Sequence, residues 1–302
     1  MPNAPSGKTI LIAGPTASGK SAAALAIADK IGGEIVNADA LQVYRDLQIL
    51  TARPSVGDLA RAPHHLYGFV DGSTRFSAGD WVRAASAAIS KIHVQERAAI
   101  IVGGTGLYFR ALEKGLAEIP DVPADIRDAA ADRFELLGAE KFRDEVLSFD
   151  PDMNRLEPAD RQRHVRAWEV YQATGTPLSE FQNAPTKPVL DSFDAHILIE
   201  PPREALYAAI DARFDAMIGA GAIDEARALY ARALDPELPA MKAVGAAELL
   251  AYIRSDVEFE TAIDLAKRNT RRFAKRQLTW FRHQTRGWSR VQSCDEAVAA
   301  IR

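Results

Sequence analysis

Residues 14–21 read Gly-Pro-Thr-Ala-Ser-Gly-Lys-Ser, and each residue type has a use around an anion. Gly14 and Gly19 let backbone N–H groups turn inward. Pro15, Thr16, Ala17 and Ser18 fill the four free positions of the phosphate-loop pattern. Lys20 supplies a mobile positive charge, and Ser21 can reach a magnesium ion. The pattern names an anion and not a reaction. A phosphate held there is either passed on to an acceptor or discarded as a leaving group.

Two other residues sort these outcomes. Chains with this loop usually bind ATP or GTP and carry a later strand ending in Asp that helps hold the metal. Here Ile100-Ile101-Val102 runs instead into Gly103-Gly104-Thr105-Gly106. The strand-end acid is Asp39, in Ile35-Val36-Asn37-Ala38-Asp39. One carboxylate beside a polyphosphate can bind magnesium or accept a proton from an attacking group. Thr105 can donate to an oxygen that gains charge as a bond breaks. Each has a competing structural use. Asp39 can cap a turn opening at Ala40-Leu41-Gln42, and the Thr105 hydroxyl can serve its own backbone.

These residues need a sheet to position them. Thr9–Ala13 is an apolar run that stops at glycine, as a buried parallel strand does. Lys20–Ile31, with its alanines, Leu25 and Ile27, reads as a helix packed close to that sheet, and its N-terminus adds positive dipole to the loop. Glu34–Asn37, Ala98–Val102 and His196–Ile199 read as further strands, and Asp80–Val94 as a helix. Strands separated by helices imply right-handed crossovers and a parallel sheet. Between roughly 115 and 190 strand candidates vanish, and Pro120, Pro123, Pro151 and Pro158 punctuate charged helical segments. The expected organisation is an α/β, P-loop NTPase-like parallel core in two parts, 1–114 and 191–302, around a helical insertion at 115–190. After Pro201-Pro202 the chain reads as helical almost to its end. The adjacent His64-His65 falls on a loop and lacks partners for a metal, so it reads as structural.

The chain of 302 residues carries a net charge of −4, which by itself suggests no polyanion partner. The average hides local clusters. From Lys267 to Arg290 nine residues are Lys or Arg and none is acidic, with Phe273, Trp280, Phe281 and Trp288 interleaved. Positions 268, 272, 275, 276 and 279 share one helical face, as a phosphate backbone with unstacked bases requires. The competing reading is a solvated helix with inward aromatics. A second cluster, Arg161-Gln162-Arg163-His164-Val165-Arg166, suits either the same polyanion or an arginine-rich kinase lid. The single cysteine, Cys294, excludes an intrachain disulfide and a cysteine-rich zinc site and suits a reducing cytoplasm. The N-terminal residues lead directly into the first strand, with no apolar run long enough for a signal peptide, and no stretch approaches a membrane span.

Taken together, the segments resemble bacterial tRNA dimethylallyltransferases. The resemblance runs through Gly14–Ser21, Asn37-Ala38-Asp39-Ala40-Leu41-Gln42-Val43-Tyr44, Thr51-Ala52-Arg53-Pro54 and Gly103-Gly104-Thr105-Gly106-Leu107-Tyr108. It continues in Asp160-Arg161-Gln162-Arg163, Asp211-Ala212-Arg213-Phe214 and Ala274-Lys275-Arg276-Gln277, and so covers most of the chain. It implies transfer of a five-carbon allyl group from dimethylallyl diphosphate to the adenine just 3′ of the anticodon. The phosphate loop then holds a diphosphate leaving group with Mg2+, and Arg213 contacts it. Asp39 takes the proton of the exocyclic amine, and Thr105 faces the bridging oxygen. The resemblance assigns tRNA contacts to Asp39, Ala40, Leu41, Gln42, Thr105, Arg127, Gln162, Arg163, His164, Val165 and Arg166. It adds Met241, Lys242, Ala243, Val244, Gly245 and Ala246, although this last stretch has Lys and Ala where many relatives have Arg and Tyr. A monomer without a membrane partner is expected. Two other readings use the same loop: a small-metabolite kinase with Asp39 as base and the Arg163 region as lid, and a nucleotide-switched RNA-binding module without chemistry. The kinase needs no basic C-terminal surface. The switch needs an acid at the end of the later strand, where Gly103-Gly104-Thr105 stands, and a nucleotide-specific motif, and neither is found.

Overall fold

The computed structural model describes residues 7–301, so the lead from Met1 to Ser6 lies outside the described residues. β1 (Thr9–Ala13) is buried at every position. It pairs in parallel with β4 (Ala99–Gly103) on one side and β5 (Ala195–Ile199) on the other. With β2 (Glu34–Asn37), β3 (His64–His65) and β6 (Ser289–Val291) the sheet runs β3-β2-β4-β1-β5-β6, and every pair is parallel. The central strands read as unbroken apolar runs because both faces are covered. Along β1, Ile10 and Ile12 meet the alanine-rich side of α1 (Lys20–Ile31), with Ala23, Ala24 and Ile27. Leu11 and Ala13 point the other way, into a cluster with Trp81, Ala85 and Ile89 of α3 (Ala78–Val94).

The two shortest strands were not legible. His64-His65 was expected on a loop, but it pairs with Ile35 and Val36. Two residues carry no periodic signal. The histidines are structural: His65 Nε2 lies 2.6 Å from the buried Glu34 carboxylate, which also takes Arg97 at 2.6 Å. β6 interrupts the helical C-terminal region for three residues. α2 (Val56–Arg61) is a surface turn of helix held by a Ser55/Asp58 capping box. α4 (Gly106–Lys114) follows β4 directly.

The chain divides into two compact units. One joins the residues up to Glu113 with those from Val189 onward, and the other is Lys114–Pro188. The insertion had been placed at 115–190. Its end shifts because Val189 and Leu190 pack against the sheet's core cluster. The second unit holds α5 (Ala124–Phe149), broken where Gly138 turns to φ 73°, then α6 (Arg161–Thr174) and α7 (Leu178–Asn183). Phe142, Val146, Met153, Ala167, Val170 and Leu178 form its own core.

In the first unit the chain continues as α8 (Arg203–Gly219), α9 (Ala222–Ala231), α10 (Ala246–Ile253), α11 (Phe259–Gln284) and α12 (Cys294–Ala299). A separate apolar cluster sets Val43, Tyr44, Leu47 and Leu50 against Phe214, Met217, Leu229, Leu249 and Leu250. It anchors the long loop after β2. Among the described residues no helix is long and apolar enough to cross a membrane.

The strand order places the C-terminal ends of β1, β2 and β4 side by side, so the loops carrying Gly14–Ser21, Asp39 and Thr105 leave the sheet together. The tightest point is Gly103. A Cβ there would stand 2.0 Å from the Ala38 carbonyl oxygen, a backbone atom that cannot swing away. Gly103→Ala is expected to destabilise the protein by about 3 kcal/mol through this overpacking, read as a fall in the urea midpoint, whereas Gly219→Ala, where a Cβ meets nothing within 4 Å, should leave the midpoint nearly unchanged.

Candidate functional site

The phosphate loop is closed by its own backbone, with Ser18 N donating to the Pro15 carbonyl at 3.2 Å. Ala17 and Gly19 both take left-handed conformations, φ 63° and 85°, which for the alanine stores strain at the turn. A Cβ on Gly14 would lie 2.5 Å from Ser18 Oγ and 2.8 Å from the Ile199 carbonyl, so only glycine fits. Lys20 opens α1 and folds back, its ammonium donating to the Pro15 carbonyl at 3.0 Å. Burial pulls its pKa down to about 8, with Asp39 raising it and Arg213 lowering it further. The Ser18 hydroxyl is buried without a partner. A loop with an orphaned hydroxyl and a lysine held short of its usual basicity fits an anion that satisfies both.

Asp39 is aimed by Asn37. The buried Asn37 side chain accepts from Asp39 N at 2.9 Å and donates to the Asp39 and Leu66 carbonyls at 3.0 Å. Trp81 Nε1 in turn donates to the Asn37 carbonyl at 2.8 Å, and its ring stacks on Tyr108 at 4.2 Å. Asp39 Oδ1 accepts from Leu41 N at 2.9 Å, so the turn-capping use is real but takes one oxygen. The second carboxylate oxygen accepts no hydrogen bond among the described residues. Thr105 shows the same division of labour. Its Oγ accepts from Ala40 N at 2.9 Å, which leaves the hydroxyl proton free to donate elsewhere. Asp39 also pushes up the pKa values of Tyr67 and Tyr108, though burial is the larger cause in both.

Arg213 reaches in from α8, its guanidinium hydrogen-bonded to the Thr16 hydroxyl. Burial lowers its pKa, and Asp39 opposes that shift. Two hollows meet at Asp39. The first is lined by Thr16 and Arg213 together with Leu41, Leu50, Ile210, Phe214, Met217, Val244 and Phe273. That is a cationic end joined to an apolar pocket. The second is lined by Thr105, Gly106, Leu107, Arg276, Gln277 and Trp280 and is the more open. Reading the sequence alone missed Asn37, Gln277 and the apolar lining. Gln277 carried one available signal: it is an uncharged residue in a basic run, at the helical spacing of the buried Ala274 and Phe281. Ser21 is exposed at the start of α1, and the described residues hold no cluster of three His, Cys, Asp or Glu side chains. A magnesium ion at the loop would take Ser21 as a protein ligand, with oxygens of the anion and water, a donor set such a hard ion accepts.

The expected nucleic-acid contacts fare unevenly. Ala40 and Leu41 lie on the rim with Asp39, but the Gln42 amide donates to the Thr51 and Ala52 carbonyls at 2.8 and 3.1 Å and braces the loop. In the second unit Arg127, Gln162 and Arg163 are exposed, with Arg163 paired to Asp160 at 3.1 Å and Arg166 to Glu169 at 3.1 Å. His164 and Val165 face inward instead. His164 is fully buried, with Nε2 3.1 Å from the Glu157 carbonyl, and Val165 packs on the unit's core. Within Met241–Ala246, Ala243 and Ala246 are buried core residues and Gly245 closes on Phe214. Lys242 pairs with Glu237 at 2.7 Å, which leaves Val244 at the first hollow.

The basic run along α11 and into β6 is also divided. Lys267, Arg271, Arg282 and Arg290 pair with Asp215, Asp211 and Glu200. Arg268, Arg272 and Lys275 are exposed and make no ion pair among the described residues. Of the interleaved aromatics, Phe281 and Trp288 are core, while Phe273 and Trp280 line the hollows.

Fold and site thus define a phosphate-loop α/β protein whose loop faces one carboxylate, one hydroxyl and an apolar pocket. The IPP transferase family model matches residues 42–284, and the chain belongs to that family. It is 53% identical over 286 residues to the tRNA dimethylallyltransferase of Phenylobacterium zucineum (strain HLK1), covering 94% of this chain and 92% of that one. It is 50% identical over 291 residues to that of Caulobacter sp. (strain K31), covering 96% and 94%. Among solved structures it resembles a tRNA isopentenylpyrophosphate transferase from Bacillus halodurans, with TM-score 0.68 and 32% identity over 97% of this chain and 94% of that one. It also resembles a eukaryotic dimethylallyltransferase described as acting on tRNA, with TM-score 0.75 and 29% identity over 91% of this chain and 70% of that one.

Lys20 makes anion binding pH-dependent. An anion seated in the loop would raise the Lys20 pKa from about 8, so the favourable charge should be fully present below pH 8. Above it, affinity for an alkyl diphosphate is expected to fall about tenfold per pH unit until the raised value is passed. Calorimetry across pH 7–10 reads this slope, and Lys20→Met should bind weakly throughout without it.

Proposed function

We propose that this chain transfers a dimethylallyl group from dimethylallyl diphosphate to the exocyclic amine of the adenine 3′-adjacent to the anticodon in tRNA, releasing diphosphate. The observation that carries the reading is the pairing at the strand ends. Asp39 keeps one carboxylate oxygen free, and Thr105 keeps its hydroxyl proton free, beside a phosphate loop. A kinase lid offers no reason for an apolar pocket at the phosphate-binding end.

The steps balance on these residues. The amine nitrogen forms a bond to the allylic carbon as the carbon–oxygen bond breaks. The electron pair of that bond stays on the diphosphate oxygen, where Thr105 donates a hydrogen bond as charge develops. Asp39 accepts the proton that the nitrogen sheds. The loop amides, Lys20 and Arg213 hold the departing anion. Ser21 would help hold a magnesium ion there, which would supply further neutralising charge. The tail of the donor fits the apolar hollow of Leu41, Leu50, Phe214 and Met217, next to Arg213 and Thr16. The adenine takes the open hollow at Trp280. Leaving a loop stack for it costs at most a few kcal/mol.

Exposed Arg268, Arg272 and Lys275 on α11 suit the phosphates of the anticodon stem-loop, as do Arg127, Gln162 and Arg163 on the second unit. One copy of the chain contains every residue invoked, so the working form is a monomer, in the cytoplasm where its tRNA is.

Unmodified tRNA incubated with dimethylallyl diphosphate and no ATP should gain one five-carbon unit on one adenine, read by mass spectrometry of the nucleosides. ATP consumption with a small acceptor and an unchanged tRNA mass would instead support a kinase. Asp39→Ala should abolish turnover while leaving tRNA affinity within about tenfold, because a general base acts mainly in the transition state. Thr105→Ala should slow single-turnover chemistry about a hundredfold, and Thr105→Ser, which keeps both hydrogen bonds, should restore most of it.

A further inference from the structure

Gln277 sits where two loops would otherwise drift apart. The β1–β4 ladder ends at Ala13 and Gly103. Beyond it one loop turns into the phosphate cradle and the other toward Thr105. Gln277 comes from α11, more than 170 residues away from Gly104, and spans the gap. Its Oε1 accepts from Thr16 N at 2.9 Å, and its Nε2 donates to the Gly104 carbonyl at 2.9 Å. A side-chain amide has the donor and acceptor of a peptide group. Here it continues the ladder by one rung after the strands themselves have stopped. The residue is 7% exposed, so neither bond is readily exchanged for water. Its partner loop is cut to admit it: a Cβ on Gly104 would lie 2.3 Å from Gln277 Nε2.

We propose that Gln277 is a positioning residue for the transfer, setting the separation between the phosphate loop and the Thr105 hydroxyl. The inference rests on the prenyl-transfer reading above. The bond-breaking oxygen belongs to an anion held by one loop, and the donor that meets it belongs to the other. Oxyanion stabilisation depends on a donor lying within hydrogen-bond distance of the place where charge develops. Thr16 is held twice, its backbone by Gln277 and its hydroxyl by Arg213, whereas Gly104 is held to the cradle by Gln277.

The test is kinetic, on the full chain with dimethylallyl diphosphate and unmodified tRNA. Gln277→Ala should lower kcat at least tenfold while KM for both substrates moves less than threefold. Gln277→Glu keeps the acceptor for Thr16 N but loses the donor to Gly104 when ionised. When protonated it regains that donor, so its deficit relative to the wild type should shrink as pH falls. Gly104→Ala should show the same loss by displacing the amide, and adding it to Gln277→Ala should cost nothing more. Undiminished kcat in Gln277→Ala would overturn the inference. So would additive losses in the double variant, or a Gln277→Glu deficit that is flat with pH. If Gln277→Ala fails to fold, the pH dependence of Gln277→Glu decides alone. The wild type run alongside keeps the two questions apart: no five-carbon mass there retires prenyl transfer itself, whereas normal product from both proteins retires only the role of Gln277.

Discussion

At the C-terminal ends of β2 and β4 there is no room for a side chain. Ala38 N donates to the Val102 carbonyl at 2.7 Å, and Thr105 N donates back to the Ala38 carbonyl at 3.2 Å. Gly103 passes against Ala38 between these two bonds. The ladder therefore runs on past the strands and joins the Asp39 loop to the Thr105 loop through Ala38 and Ala40. The Thr105 hydroxyl completes the join by accepting from Ala40 N. Each reactive group spends one hydrogen-bonding function on the scaffold and keeps one for chemistry. Together with the support from Asn37 and Gln277 this holds both side chains in place, as the acid–base and oxyanion pair of the proposed transfer requires.

The charge balance of the site follows from the same crowding. Asp39 is the carboxylate whose field reaches both Lys20 and Arg213. Two cations are thus gathered in partial burial around one anion, leaving an excess of positive charge at the loop. Desolvation lowers the pKa of both, and the arrival of a multiply charged anion relieves it. Burial that strips solvent from these two cations favours an anion beside them over a neutral ligand.

The basic run on α11 shows how far charge counting reaches. Lys267 and Arg271 turn back onto Asp215 and Asp211 of α8, and Arg282 and Arg290 share Glu200 at the end of β5. The first three pairs tie α11 to α8 and to the end of β5, and the Arg290 pair joins β6 there. The exposed remainder, Arg268, Arg272, Lys275, Arg276 and Arg286, forms the smaller surface available to a polyanion. In the second unit His164 and Val165 belong to the core, so the contact surface of α6 narrows to the residues beside them.

The phosphate loop, the buried strands, α1 and the helical texture of the insertion were all readable in the order of residues. Their signals are local: a fixed glycine spacing, apolar runs ended by glycine, and proline punctuation among charged helical stretches. Asp39 and Thr105 could be singled out because strand ends in parallel sheets are where side chains reach ligands. Which of their atoms remain free was not readable, because that depends on Leu41 N and Ala40 N arriving at particular distances. Nor were β3 and β6, too short to show a period, nor the roles of Asn37 and Gln277, whose partners include Leu66, Thr16 and Gly104. Sequence spacing determines what a segment can become by itself. Side-chain amides that bridge distant loops, and the sorting of arginines into ion pairs or open surface, are decided by long-range contacts that exist only once the sheet has formed.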